Sequence, residues 1–191
     1  MEARSQPALD PMEAVAFNRA IAEHADGLKT YALRMLGDSI LAEDIAQDAF
    51  LALYRHLSQV PPGAYRPWLY RVTRNLCLDH LRRRKFKLKL FRDVAARDDE
   101  QRDPVPEDVT ADQPDELAEA RETQAAVEAA IRDLPTKFRE AFLLCEMQGL
   151  SYEDAAAILK CPVKTVSTRL FRARQRFRAA VGDLLPGFQT H

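Results

Sequence analysis

Apolar side chains recur at helical spacing along almost the whole of this 191-residue chain, and that pattern constrains its fold more than any other feature. Runs in which apolar and polar residues alternate, which are typical of half-buried strands, are nearly absent. Only 6 glycines interrupt the pattern. The sequence therefore predicts an all-α protein.

Start and stop signals divide the pattern into helices. Asp10 followed by Pro11 is a strong helix start, and Gly37 is a natural stop. Asp38 or Ser39 can cap the next helix, and in the second half Thr136 and Ser151 can do the same. The predicted helices are 11–36, 39–57, 66–84 with an extension towards 90, 115–134, 136–147, 151–159 and 163–181.

Charge is distributed unevenly, although the net charge is only −1. Residues 61–92 carry 10 basic and 1 acidic side chains, and residues 93–122 carry 3 basic and 12 acidic ones. A basic block of this size indicates a polyanionic partner. The segment 93–114 has too few apolar residues to bury, so we expect a flexible acidic linker between helical domains at 10–92 and 115–182. It is either a solvated tether or an acidic strand that takes the place of nucleic acid in a partner's basic channel.

Several function classes lack support in the sequence. No run of about 18 apolar residues exists, and the acidic start of the chain is unlike a signal peptide, so we expect a soluble intracellular protein without membrane insertion. Metal spacing, a nucleophile elbow and a phosphate-binding glycine loop are all missing, so we predict no catalytic residue, no metal, no cofactor and no small-molecule substrate. The cysteines are predicted to be reduced thiols: Cys77, Cys145 and Cys161.

The third predicted helix combines positive charge with flat rings in GAYRPWLYRVTRNLCLDHLRRRKFKLK. Phosphates attract the charge, and unstacked bases stack on aromatic faces, so the segment is a candidate single-strand surface. Trp68 is either a core residue or part of this surface. Asn75 either bonds a base edge or is an ordinary surface amide. The candidate contacts are Tyr65, Arg66, Trp68, Arg71, Arg74, Asn75, Arg82, Arg83 and Arg84.

The last two predicted helices have the pattern of a helix-turn-helix. Ser151 and Asp154 are close to a capping box. An apolar stripe should face inward on the last helix, at Val163, Val166, Leu170, Ala173 and Phe177. The opposite face offers candidate base and phosphate contacts: Lys164, Thr165, Ser167, Thr168, Arg169, Phe171 and Arg172, with Arg174 and Arg176 as further phosphate ligands. Phe171 either touches a thymine methyl or a sugar, or packs against another helix.

The second predicted helix presents a different surface. Asp44, Gln47 and Asp48 fall within about one turn and share a face. That face is unsuited to DNA. It is either a binding site for a basic protein surface or simply a solvated face.

These segments, in this order, resemble the extracytoplasmic-function group of the sigma-70 family, the minimal sigma factors of bacterial RNA polymerase. The resemblance rests on AEDIAQDAFLALYR, WLYRVTRNLCLDHLRRR and DLPTKFREAFLLCEMQGLSYEDAAAILKCPVKTVSTRLFRARQRF, and it covers about 14–180. It implies a second sigma region, an acidic linker and a fourth sigma region.

The resemblance also implies roles. Asp44, Gln47 and Asp48 would contact the clamp coiled coil of the largest polymerase subunit. The third helix would recognise and melt the −10 promoter element, with Asn75 near a flipped base. The last helix would contact the −35 element, most closely through Ser167, Thr168, Phe171 and Arg172. The expected partners are core RNA polymerase, promoter DNA and an anti-sigma protein, in the bacterial cytoplasm.

Some residues depart from the family's pattern. Lys160 and Lys164 stand where members commonly have glycine, and a left-handed Lys160 would cost on the order of 1 kcal/mol. Ser167 replaces a residue that is commonly basic. Two alternatives remain: a stand-alone helix-turn-helix regulator, which would leave the acidic helix unexplained, and a decoy that titrates an anti-sigma protein, which should have lost its DNA-facing basic residues.

Overall fold

The computed structural model describes the backbone of residues 10–95 and 115–182, and the side chains of 10–89 and 121–182. All regular elements in these ranges are helical, so the predicted all-α class is confirmed. The main helices are α1 (Pro11–Leu36), α2 (Ser39–Arg55), α3 (Tyr65–Ala95), α4 (Asp115–Asp133), α5 (Thr136–Phe142), α6 (Tyr152–Leu159) and α7 (Val163–Val181).

The starts of the first two helices follow the sequence signals. The Glu13 amide donates to the Asp10 carboxylate at 2.7 Å, and the Glu13 side chain accepts from the Asp10 amide at 3.3 Å, which completes a capping box. Gly37 ends α1 in the left-handed region at φ 74°. Asp38 then caps α2 by accepting from the Leu41 amide at 2.9 Å. Of the two predicted caps for α2, Asp38 is therefore the one in use.

Three other boundaries differ from the prediction. Helix α2 ends at Arg55, and a 3₁₀ turn over Leu57–Gln59 follows. Helix α3 extends to Ala95, so positions 93–95 of the predicted linker are helical, while 96–114 lie outside the described residues. Thr136 is already inside α5, whose N-cap is Pro135 without a side-chain cap bond, so the predicted Thr136 cap is wrong.

The segment after α5 forms a wider turn than an α-helix. Residues Leu143–Met147 are a π-helix, and the Gln148 amide donates to the Leu143 carbonyl at 3.0 Å, five residues back. The predicted helix 136–147 is therefore an α-helix up to Phe142 and a π-helix from Leu143 to Met147. This π-turn presents Gln148 at its end.

Each half of the chain has its own helical packing. In the first domain α1, α2 and α3 enclose fully buried side chains that include Leu28, Tyr31, Leu53 and Leu69. In the second domain α5 and α7 pack closely, and the rings of Phe142 and Phe177 lie 5.0 Å apart. Helices α4 and α6 complete this second domain.

The two domains also contact one another. Helices α1 and α3 of the first domain meet α4, α5, α6 and the π-turn of the second. Two ion pairs cross between them, Arg34 with Glu128 at 2.7 Å and Arg74 with Glu140 at 2.6 Å. Among the described helices, none combines the length and apolarity needed to cross a bilayer.

Candidate nucleic-acid interface

One face of α3 forms an exposed basic track. Arg71, Asn75, Asp79 and Arg82 succeed one another at three- and four-residue spacing and are all solvent-exposed. Asp79 accepts from the Arg82 guanidinium at 2.9 Å, which is a surface pair of little energetic weight. Arg83 and Arg84 continue the track in exposed positions. Three predicted DNA contacts, Arg71, Asn75 and Arg82, therefore share one accessible face, and Arg83 and Arg84 lie further round the same helix.

The predicted aromatic contacts Tyr65 and Trp68 are less accessible than the basic track. Tyr65 is only 6% exposed and belongs to the core of the first domain. Trp68 is half-buried, packs against that core, and has its ring 6.0 Å from the His56 ring. In this structure the Tyr65 side chain is buried, so neither face of its ring is open for a base to stack on. Its predicted role in base stacking stays a prediction and requires a rearrangement.

Two of the predicted DNA-contacting arginines are held by the second domain. The Arg74 guanidinium donates through Nε to the Glu140 carboxylate at 2.6 Å, and only 13% and 5% of the two side chains are exposed. Arg66 donates to the backbone carbonyl of Gln148. Sequence reasoning missed Glu140 and Gln148, because no local pattern shows which residue of a second domain meets α3.

A neighbouring contact strengthens this arrangement. The Tyr70 hydroxyl donates to the Gln148 side-chain carbonyl at 2.5 Å, and burial raises the pKa of Tyr70 to about 12. The Tyr70 ring also packs edge-on against the Tyr31 ring, 5.7 Å away. The proton therefore stays on the Tyr70 hydroxyl at neutral pH, and the hydroxyl serves as a donor across the domain boundary.

The helix-turn-helix is built from α6 and α7. Ser151 accepts from the Asp154 amide at 3.0 Å, so it caps α6 as predicted. The reciprocal bond, from the Ser151 amide to the Asp154 side chain, is not made, so the capping box is incomplete. Lys160 lies between the helices at φ 52°, in the left-handed region. This is the conformation that the family's common glycine would adopt without strain.

Helix α7 buries one stripe and exposes the other. Val166, Leu170, Ala173 and Phe177 are buried as predicted, whereas Val163 is 40% exposed because it is the first residue of the helix and lies at its open end. The outer face contains the predicted −35 residues. Lys164, Ser167, Thr168, Phe171 and Arg172 are exposed, and Thr165 and Arg169 are half-buried.

Details of the α7 surface refine the predicted contacts. Phe171 is 60% exposed, so most of its side chain is free on the outer face, as contact with a thymine methyl or a sugar requires. Thr168 donates to the Lys164 carbonyl at 2.9 Å, which leaves its oxygen lone pairs facing outward as acceptors. Arg174 pairs with Glu146 at 2.6 Å and is not a free phosphate ligand here. Arg176 lies over the Phe138 ring at 5.6 Å.

Helix α2 exposes the predicted protein-binding residues beside an apolar groove. Asp44, Gln47 and Asp48 are all exposed. Next to them, a groove of about 620 Å³ between α1 and α2 has Gln47 on its lining together with apolar side chains, which are Phe17, Ile21, Ala25, Ala46, Phe50, Leu51 and Tyr54. An acidic rim beside an apolar groove suits a basic amphipathic helix. The sequence signal for this groove is Leu51, an apolar residue three positions after Asp48 that is 44% exposed in the structure.

The described side chains offer little for a metal. No three His, Cys, Asp or Glu residues within 10–89 and 121–182 come close enough together to hold an ion.

Comparison with protein families matches both domains. The family model for Sigma-70 region 2 matches residues 20–87, and the model for Sigma-70, region 4 matches residues 124–177. The first range contains the exposed basic track of α3 from Arg71 to Arg84, and the second contains the outer face of α7 with the predicted −35 residues, its reading face.

Three curated relatives match over most of this chain. The ECF RNA polymerase sigma factor SigE of Mycolicibacterium smegmatis is 35% identical over 85% of this chain, which spans 60% of that relative's length. The RNA polymerase sigma-H factor of Pseudomonas aeruginosa is 35% identical, with 89% of this chain and 88% of the relative covered. The ECF RNA polymerase sigma factor SigW of Bacillus subtilis is 31% identical, with 88% and 90% covered.

Two solved structures share the fold over almost the full chain. The sigma factor RpoE in complex with the anti-sigma factor NepR from Bartonella quintana superposes with a TM-score of 0.66 at 24% identity, covering 91% of this chain and 98% of that one. CnrH in complex with the cytosolic domain of CnrY gives 0.62 at 25% identity, covering 93% and 97%. The two-domain helical architecture is thus shared with both.

Proposed function

Because this chain belongs to the extracytoplasmic-function group of the sigma-70 family, we propose that it binds core bacterial RNA polymerase and directs it to a specific set of promoters. The first domain provides the polymerase contact and melts the −10 element, and the second domain binds the −35 element. The chain is a transcription initiation factor and not an enzyme, since the polymerase core supplies the catalysis.

The observation that carries the proposal is the coexistence of three surfaces in one chain. An acidic-rimmed groove on α2, a basic track on α3 and a polar reading face on α7 are all exposed. A stand-alone regulator that binds duplex DNA needs only the polar reading face on α7. A decoy for an anti-sigma protein needs neither the basic track on α3 nor the reading face on α7.

Each surface has a chemical task. On α3, Arg71, Arg82, Arg83 and Arg84 neutralise phosphates, and Asn75 is placed among them to bond a base edge. On α7, Ser167, Thr168 and Phe171 are near enough to the helix N-terminus to contact base edges in the major groove, where such helices enter. Because both DNA-binding surfaces belong to one chain, binding of one raises the effective concentration of the other at its own DNA site. Two modest DNA contacts together therefore give a higher affinity than either gives alone.

We also propose an anti-sigma partner and a cytoplasmic location. Of two structures that share the fold, one contains the sigma factor RpoE bound to the anti-sigma factor NepR, and the other contains CnrH bound to the cytosolic domain of CnrY. The apolar groove between α1 and α2 is an accessible surface for a partner helix. The site of action would be the cytoplasm, where the core polymerase is.

The test is transcription by a reconstituted polymerase. We would add the purified chain to sigma-free bacterial core polymerase with genomic DNA of the host and sequence the 5′ ends of the RNA. Discrete new start sites that share −35 and −10 motifs are the expected result. Core binding without new starts would favour the decoy, and the absence of both would favour the stand-alone regulator.

A further inference from the structure

We propose that the C-terminal part of α3 is a further DNA-binding site, in which Phe86 contacts a thymine methyl group of duplex DNA on the −35 side of the −10 element. The inference rests on the proposed function and deepens it, because it extends the −10 surface to a residue outside the basic track. The site is the segment 82–89, the α3 extension.

The α3 extension projects beyond the core of the first domain. Every side chain from 82 to 89 is exposed, whereas buried and exposed positions alternate along the preceding turns of α3. The family model for Sigma-70 region 2 ends at residue 87, but α3 continues to Ala95. Packing within the first domain therefore does not explain which residues the extension carries.

Phe86 is the residue that most needs a partner. Its side chain is 65% exposed. It follows Arg82 by four residues and Asn75 by eleven, which is three helical turns, so it lies on the exposed face of the basic track. An aromatic ring in water leaves a large apolar area hydrated, and a ligand with an apolar group would remove part of that area from water.

Leu88, the other exposed apolar residue of the extension, has a different explanation. It is 45% exposed, and it follows the partly buried Leu81 by seven residues, so it continues the core-facing side of α3 past the end of the core. Two residues correspond to about 200° of helix rotation, so Phe86 and Leu88 lie on opposite faces. The core-facing pattern accounts for Leu88 and leaves Phe86 unexplained.

The charges around Phe86 indicate an anionic ligand with two backbones. The α3 extension has no acidic residue and six basic ones, which are Arg82, Arg83, Arg84, Lys85, Lys87 and Lys89. Lys85 and Lys87 are rotated by about 100° to either side of Phe86. A helix in the major groove has a phosphate backbone on each side, so cations on both flanks of an apolar centre suit duplex DNA.

The apolar centre selects one base. Among the base edges in the major groove, thymine presents a C5-methyl group, and apolar side chains contact it there. Phe86 would therefore add a preference for thymine to the affinity that the lysines provide through phosphates.

The geometry of α3 also predicts where this thymine lies. Asn75 and Phe86 are eleven residues apart, which is about 16 Å along the helix axis. At 3.4 Å per step, that length corresponds to about five base pairs. Because the second domain follows α3 in the chain and would bind the −35 element, the extension lies on the −35 side of Asn75, where the DNA between the two elements is duplex.

The test measures binding of the full free chain to two duplexes at low salt. One consists of alternating A·T pairs, so every register presents a thymine, and the other has uracil in place of thymine and lacks only the methyl groups. All proteins carry Phe171→Ala, because α7 exposes a second phenylalanine. Fluorescence anisotropy gives the two dissociation constants, and circular dichroism confirms folding.

We expect the Phe171→Ala chain to bind the thymine duplex roughly fourfold tighter than the uracil duplex, because each molecule buries one additional methyl group. Adding Phe86→Ala should remove this preference. Adding Leu88→Ala, the matched control on the opposite face, should keep it. Lys85→Gln and Lys87→Gln should each weaken binding to both duplexes and reduce its salt dependence by about one counterion, with the preference unchanged.

Four results would overturn the site: no binding to either duplex, equal affinity for both, a preference that survives Phe86→Ala, or a preference that Leu88→Ala also removes. Tighter binding to a thymine single strand than to the duplex would overturn its assignment to duplex DNA. The assay uses neither polymerase nor promoter. A chain that shows the preference but does not program core polymerase would instead refute the proposed function.

Discussion

Cys77 lies on the buried side of α3, where burial and the nearby Glu140 carboxylate raise the pKa of its thiol from 9.0 to about 12. Such a thiol contributes stability that is fully present below pH 9 and is lost as pH rises towards 12. We expect this contribution to fall by about 1 kcal/mol by pH 10, because the unfolded thiol ionises there and the folded one does not.

Urea unfolding at pH 7.5 and pH 10 measures this effect. The wild type should lose more free energy of unfolding between the two pH values than Cys77→Ala does. Cys161→Ala, at a half-buried position, is the control and should behave like the wild type. Equal losses in Cys77→Ala and the wild type would show that Cys77 does not carry the pH dependence.

Lys160 is the only residue other than glycine with a positive φ among the described residues, and its side chain therefore strains the turn of the helix-turn-helix. Lys160→Gly should raise the free energy of unfolding by about 1 kcal/mol, since glycine adopts this conformation without a Cβ clash. Lys160→Ala removes the same charge but keeps the clash, so it should give no such gain. Thermal unfolding compares the variants, and a Gly variant no more stable than the Ala variant would contradict the strain.

At the scale of elements, the sequence predicts best where the determinants are local. The N-cap at Asp10, the stop at Gly37 and the buried stripe of α7 all follow from residues within one or two turns of one another. The predicted Thr136 cap was wrong because Pro135, the residue before it, takes the N-cap position, and the predicted α3 was too short because the helix continues to Ala95. The π-turn over Leu143–Met147 has no composition signal at all.

Helix α2 presents the predicted polymerase contact as one continuous face. Asp44→Arg combined with Gln47→Ala should abolish core binding, because it places a positive charge where a basic partner surface docks. Both side chains are exposed, so helical content should not change. Glu122→Arg, the same reversal at an exposed position of α4, is the control for net charge. A pull-down in which the double variant keeps its core affinity would refute the assigned face.

Helix α3 carries the predicted base contact on its exposed side. Asn75→Ala should reduce promoter opening about tenfold while leaving core binding intact, since a lost amide–base bond is worth about 1–3 kcal/mol. Asp79→Ala, one turn further along the same face, is the matched control. Permanganate footprinting of the −10 thymines measures opening, and unchanged reactivity in the Asn75 variant would contradict the role.

At the scale of the whole molecule, the candidate site is only partly accessible to sequence reasoning. The exposed members of the basic track, such as Arg71 and Asn75, are where the helical pattern placed them. The engagement of Arg74 by Glu140 could not be predicted, because the two residues lie 66 positions apart in the chain and no periodicity links them. A contact between domains depends on shape complementarity that becomes visible only in three dimensions.

The contact between the two domains can be trapped covalently through the Arg34–Glu128 pair. The guanidinium and carboxylate are 2.7 Å apart, so Arg34→Lys would place an amine beside Glu128 that a carbodiimide can join to it as an amide. Lys29 and Glu43, 2.7 Å apart inside the first domain, provide a reference cross-link that does not depend on this contact. Peptide mass spectrometry of the free variant should find both products.

The bridged chain should still bind core polymerase, because α2 stays exposed, but it should fail to open a promoter, because Arg66 and Arg74 cannot leave the second domain. Wild-type chain treated with the same reagent controls for modification of surface carboxylates and carries only the reference cross-link. A reference product without the bridge would mean that the domains are apart in solution. A bridged chain that opens promoters as well as the treated wild type would contradict this prediction, since the tethered domains would then capture the strand without separating.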